Sequence, residues 1–165
     1  QETYGIIVYQ EQVMQIANEI METQNMPVLF INGGVGGTRV DQHQRNDNNP
    51  EDLNTIYGRL LWRVKQTNAA ESVRAIFWHQ GESDGSMGFD TYLGLWTSMY
   101  NGWVEDYPNL EGIYPFQVRA GCGNPTWNRN VHRELPEILP LVIGLPITSQ
   151  SLPFLNAAFG ERTLF

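Results

Sequence analysis

The sequence predicts an α/β fold: a parallel sheet with helices on both faces, the three-layer α/β/α sandwich. Three observations carry that expectation. Short apolar runs of strand length (Val28–Ile31, Val73–Trp78, Gly112–Val118) alternate with longer stretches whose apolar residues recur at helical spacing. The runs lie roughly 40 residues apart, the room that right-handed β-helix-β crossovers need. The middle run, Ala75-Ile76-Phe77-Trp78, passes straight into His79-Gln80-Gly81-Glu82-Ser83-Asp84. A buried parallel strand looks like this where it leaves the sheet and delivers a loop at its carboxyl end.

Each element has its own warrant. Val13, Ile16, Ala17, Ile20 and Met21 form one helical stripe. Pro27 opens the apolar run Val28–Ile31, expected as the first strand. A glycine loop follows, Asn32-Gly33-Gly34-Val35-Gly36-Gly37-Thr38, then a polar stretch from Asp41 to Asn49. Pro50, Glu51 and Asp52 suit the first turn of a helix, where acidic groups meet unpaired N–H groups. Leu53, Ile56, Tyr57, Leu60, Leu61 and Val64 continue it. After the central strand, Tyr92, Trp96, Met99, Tyr100 and Trp103 mark a helix with an aromatic face, expected to be core. Pro115 places the third strand near a sheet edge. Val131–Leu139 reads as a weaker helix interrupted at Pro136. The whole of 1–165 is expected to be a single domain, with no periodicity to assign from 145 to 165.

Composition narrows the function classes. A 41% hydrophobic fraction with five Trp and seven Tyr residues describes a packed globule rather than a disordered chain. The net charge of −8 and the lack of any basic run to neutralise phosphates argue against a nucleic-acid binder. No apolar run reaches membrane-spanning length. The lone Cys122, set between two glycines, excludes an internal disulfide and a cysteine-rich zinc site and has no nameable base beside it.

Chemistry concentrates in the two loops. The glycine loop lacks the Lys of a phosphate-binding loop, and a dinucleotide pattern starting at Gly34 fails at Arg39. What remains is a backbone that a ligand can approach closely, with N–H groups able to face a developing negative charge. The second loop offers the amide of Gln80, the carboxylates of Glu82 and Asp84, the imidazole of His79 and the hydroxyl of Ser83. His43 is expected to be solvated in its polar stretch. Asp41, His43, Glu82 and Asp84 match no metal-ligand spacing, so no metal and no cofactor is expected.

Together the two loops resemble the sialate O-acetylesterase-like branch of the SGNH hydrolases, which are carbohydrate esterases. The string Trp78-His79-Gln80-Gly81-Glu82-Ser83-Asp84 carries most of the likeness. The glycine loop and the segment Ile113-Tyr114-Pro115-Phe116-Gln117-Val118-Arg119 support it, and the resemblance spans roughly residues 5 to 140. It implies a flavodoxin-like α/β/α fold, an acetylated carbohydrate as substrate, and a serine nucleophile with an Asp-His pair. It also implies an oxyanion hole made of the serine N–H, the N–H of Gly36 or Gly37, and the Gln80 side chain. Glu82, Asp84 and His79 then form a supporting shell, and Arg39 is a weaker candidate for binding substrate. The resemblance also implies export, to the periplasm or the outside of the cell.

The departures are equally specific. No Gly-Asp-Ser-like motif precedes the first helix, no Asp follows Asp106, and the last histidine, His132, sits in a helical pattern. The expectation is an esterase domain incomplete at both ends, inactive by itself. The alternative is a carbohydrate-binding remnant of that fold. A glycoside hydrolase using Glu82 and Asp84 is a third reading, disfavoured because two carboxylates in one loop need not face each other across a sugar.

Overall fold

The computed structural model describes residues 18, 21–23, 25, 27–118 and 126–144. The chain divides into two compact units: 31–147, and 1–30 together with 148–165. In the second of these, residues 18 and 21–23 are helical; the remainder of the stripe starting at Val13 lies outside the described residues. So do Arg119, Cys122 and the stretch from 145 to 165.

Among its described residues, the unit 31–147 contains two strands, β1 (Ala75–Trp78) and β2 (Gly112–Pro115), and three α-helices, α1 (Ile56–Gln66), α2 (Phe89–Asp106) and α3 (Thr126–Ile138). β1 and β2 are parallel, with Ala75 opposite Gly112 and Trp78 opposite Pro115. α2 is the crossover between them. A third parallel position follows α3, where Ile113 bridges Val142. There the Ile113 N–H donates to the Leu141 carbonyl at 2.8 Å and the Ile143 N–H to the Ile113 carbonyl at 2.9 Å. Residues 141–143 carried no strand signal in the sequence, being too short a run to show a period.

β2 is therefore an inner strand, not the edge that Pro115 suggested. Alternation explains the tolerance. Gly112 and Phe116 turn their N–H groups to the β1 side, donating to the Arg74 and Trp78 carbonyls at 3.1 and 2.7 Å. Ile113 turns to the other side, and so does Pro115, two residues past the Ile113–Val142 bridge. Its missing N–H interrupts no ladder there.

The expected first strand does not form. Residues 28–31 belong to no ladder, and Leu29 is 66% exposed. An apolar run of four states that a strand is possible; the partner that makes it one is a tertiary fact. The second helix also starts later than expected. Asp52 accepts hydrogen bonds from both the backbone and side-chain N–H groups of Asn54 at 2.9 Å, an Asx turn rather than a helical turn. Thr55 then caps α1 by accepting from the Gly58 N–H at 2.9 Å. Leu53 is left outside, 52% exposed. α3 runs through Pro136, which lies inside the helix rather than ending it. Pro136 falls in the last turn, so only one internal hydrogen bond is lost, that to the His132 carbonyl.

The core lies between α1, α2, α3 and the sheet. Tyr57, Leu61 and Val64 of α1 meet Tyr92, Trp96, Met99, Tyr100 and Trp103 of α2 and Val131 and Leu135 of α3. Each set follows the three- and four-residue steps of a helix face. Trp78 at the end of β1 packs edge-on to Trp96 and Trp103 with ring centroids 6.3 and 5.2 Å apart. This rigid aromatic floor carries the loop that begins at His79.

Candidate active site

The polar loop leaves β1 by a turn that only glycine adopts readily. Gly81 has φ +136°, and a Cβ there would stand 3.0 Å from Asn128 Oδ1 and 3.2 Å from Val118 Cγ1. The Asn128 side chain donates to the Gly81 carbonyl at 2.9 Å. Gln117, just past β2, donates to the Arg129 carbonyl at 3.0 Å. The carboxyl ends of both strands thus converge on the first half of α3.

The glycine loop reaches the same place. Gly36 and Gly37 are exposed, Gly37 at φ +72°, and open space lies over both backbones. Thr38 then folds inward. Its hydroxyl donates to the Val35 carbonyl at 2.8 Å and lies 2.7 Å from His43 Nε2. With the hydroxyl hydrogen so engaged, His43 Nε2–H is the donor to Thr38. His43 begins the departure from expectation: it is buried, edge-on to Trp78 at 5.0 Å, and not solvated. Burial pushes its pKa down to about 4, with nearby Asp41 opposing weakly, so the ring is neutral. A histidine in a run of Asp, Asn and Gln gave no sign of this.

Asp84 joins the two loops. It is fully buried, its Oδ1 accepts the Val40 N–H at 2.9 Å, and its Oδ2 accepts from Gln80 Nε2. Burial raises its pKa, while the Val40 and Gln80 hydrogen bonds pull it back toward the charged form. Gln80, 7% exposed, uses its second N–H on the Thr38 carbonyl at 3.1 Å. Its Oε1 lies 3.4 Å from the Tyr92 hydroxyl, which in turn is 2.8 Å from His132 Nε2. Both amide hydrogens of Gln80 are therefore engaged inside the protein.

The remaining sequence candidates sit around this centre. His79 Nε2 and Glu82 Oε1 are 3.6 Å apart, and burial lowers the His79 pKa against the raising effect of Glu82. Glu82 and Ser83 are exposed. Arg39 is exposed and forms a two-point ion pair with Asp41, its Nε 3.2 Å from Oδ1. Four residues that the sequence did not single out as site residues belong to the network: Thr38, Tyr92, Asn128 and His132. Tyr92 and His132 read only as members of helical stripes, and nothing local marks a stripe residue as polar partner of a loop 12 or 52 positions away.

A family model described as carbohydrate esterase, sialic acid-specific acetylesterase, matches residues 10–134 of the 165. The chain belongs to that family. The match spans both loops, β1, β2 and the first half of α3, so the network drawn together by Asp84 is part of the acetylesterase domain. Helices packed on a parallel sheet fit the α/β class of these esterases. No curated protein and no solved structure gives a significant match.

Proposed function

We propose that this acetylesterase-family chain supplies the oxyanion side of a serine-esterase site that removes O-acetyl groups from a sugar. The observation that carries the reading is the buried Asp84 carboxylate, which fastens the glycine loop to Gln80 at the carboxyl end of the sheet. Gly36 and Gly37 offer backbone N–H groups on a surface that an acyl carbonyl can reach. Gln80 reaches Thr38, the residue after Gly37, with one amide hydrogen on its neutral carbonyl. A tetrahedral oxyanion is a stronger acceptor than that carbonyl, because charge-assisted hydrogen bonds are about twice as strong as neutral ones. The Gln80 hydrogen then passes from Thr38 to the oxyanion only as charge develops, so the gain falls on the transition state rather than on the bound ester.

On this reading Asp84 fixes Gln80, the His79–Glu82 pair stiffens the loop, and Arg39 is placed for a substrate carboxylate if it exchanges Asp41 for it. The nucleophile and the Asp-His pair are not identified in this sequence. The 165-residue chain is expected to hydrolyse p-nitrophenyl acetate at background and to take no stoichiometric label from a serine-directed phosphonate. Strong labelling at one serine would reveal a nucleophile outside a Gly-Asp-Ser-like motif.

The site itself is tested in an active, serine-bearing form of the protein. Gln80→Ala is expected to lower kcat by about 10²–10³-fold with little change in KM, the usual effect of one oxyanion donor. Glu82→Gln is expected to act more weakly. If Gln80→Ala leaves kcat intact while Glu82→Gln abolishes turnover and one limb of the pH profile, a carboxylate mechanism replaces the oxyanion assignment.

A further inference from the structure

Gln80 is asymmetric, and its usefulness depends on which end faces the glycine loop. The Nε2 end faces two acceptors, the Thr38 carbonyl and the Asp84 carboxylate. The Oε1 end faces the Tyr92 hydroxyl at 3.4 Å, and behind Tyr92 stands His132. Both residues come from helices, α2 and α3, that the loop itself does not belong to. Tyr92 is fully buried and His132 is 3% exposed, so both contacts lie away from bulk solvent.

The direction of these bonds follows from counting hydrogens. Tyr92 has one hydroxyl hydrogen and two neighbours that could accept it, Gln80 Oε1 and His132 Nε2; the nearby Trp96 indole N–H can only donate. If it donates to His132, the imidazole hydrogen must sit on Nδ1, a buried atom with no hydrogen-bond partner. That arrangement leaves a buried N–H unpaired and leaves Gln80 Oε1 without a donor. If the imidazole hydrogen sits on Nε2, it donates to the Tyr92 oxygen at 2.8 Å, and Tyr92 donates onward to Gln80. Nδ1 is then a bare lone pair, the cheaper group to bury unpaired.

We propose that Tyr92 and His132 are positioning residues: a one-way chain, His132 Nε2–H to the Tyr92 hydroxyl and Tyr92 to Gln80 Oε1, holds the Gln80 amide with its N–H₂ turned toward the glycine loop. Asp84 grips one end of the amide and Tyr92 the other, so flipping it would set Oε1 against the Asp84 carboxylate and Nε2 against a hydroxyl already aimed at it. The importance of this orientation rests on the esterase reading; the chain of hydrogen bonds does not.

The test is nitrogen-15 NMR on the 165-residue chain near pH 7. His132 is expected to show a protonated, pyrrole-like Nε2 and a bare, pyridine-like Nδ1. The opposite tautomer overturns the proposal. In Tyr92→Phe, which keeps the ring, the Gln80 side-chain amide protons are expected to lose their wild-type shifts and their protection from exchange. The amides of Ala75–Trp78 report whether the fold is kept. Unchanged Gln80 signals in a folded Tyr92→Phe protein also overturn it. His132→Gln, whose side chain can still donate to Tyr92, is expected to retain the wild-type Gln80 signals, and His132→Leu to lose them. None of these readouts needs turnover. In the active form, a Gln80→Ala change that leaves kcat intact while the expected tautomer is found removes the oxyanion reading alone, and a reversed tautomer removes the chain alone.

Discussion

His43 and His132 are both buried, and burial brings each pKa down to about 4. For His132 the neighbouring His79 adds to that lowering. Between about pH 6.5 and 4 the unfolded chain binds a proton at each position and the folded chain does not. Stability therefore falls as pH drops through that window and levels off below it. The shift from 6.5 to about 4 corresponds to roughly 3 kcal/mol per histidine at one pKa unit per 1.36 kcal/mol. Asp84, whose pKa is raised by burial, acts with the opposite sign above the ordinary carboxylate range and offsets part of the loss. Urea unfolding at pH 7, 6, 5 and 4.5 is expected to show the decline, and His43→Asn to flatten it. A midpoint that holds constant from pH 7 to 4.5 would show that neither ring is held neutral. Asp84 and Gln80 stand four residues apart in one loop, and their mutual hydrogen bond needs little more than that adjacency. Nothing in the sequence gave access to His43, because depth below the surface is not written in local polarity.

At the scale of elements, two helical glycines separate propensity from packing. Gly94 in the middle of α2 has open space where a Cβ would go. Gly94→Ala is expected to stabilise the protein by about 0.5–1 kcal/mol through the loss of unfolded-chain entropy and the helix propensity of alanine. Gly58 in the first turn of α1 is different: a Cβ there would lie 2.2 Å from the Asp52 carbonyl oxygen. Gly58→Ala is expected to destabilise despite the better propensity, because the Asx turn at Asp52 and the Thr55 cap must move apart. Thermal melts of the two variants should shift in opposite directions; shifts of the same sign would mean that the 52–58 turn is not packed as described. β1 and the long aromatic helix α2 were readable from periodicity since each is set by its own residues. The start of α1 was not, because acidic residues suit an Asx turn as well as a helical first turn. The apolar run at 28–31 was misread for a related reason: its composition is permissive, and only a ladder partner makes a strand.

At the scale of the whole unit, Arg45 connects three separate parts of the chain. Its guanidinium contacts Asp106 at 3.0 Å, Glu105 at 2.7 Å and Asp47 at 2.8 Å, while the Tyr57 hydroxyl donates to Asp106 at 2.7 Å. The polar stretch, α1 and the end of α2 are fixed together at one buried carboxylate. Gly102 permits the approach, since a Cβ there would stand 2.9 Å from both Arg45 Cδ and the Tyr57 oxygen. Arg45→Met leaves Asp106 buried with one partner fewer and is expected to cost about 3–5 kcal/mol, the range for breaking a buried pair. The double variant Arg45→Met/Asp106→Asn should lose less than the two single changes added, because the stranded charge is removed. Additive losses in denaturant titrations would show that the pair is not coupled.

The amino-acid sequence by itself determined the α/β class, the parallel crossover from β1 through α2 to β2, the membership of the aromatic core and the two polar loops that meet at Asp84. Those properties depend on periodicity and on residue types at short spacing, which the chain states directly. Tertiary structure alone decided that the glycine loop is held through the Val40 N–H to Asp84 across 44 positions, and that Tyr92 meets His132 across 40. It also decided that both hydrogens of Gln80 are engaged. A hydrogen bond needs a partner within about 3 Å and a particular direction, and no local pattern encodes which distant atom arrives there.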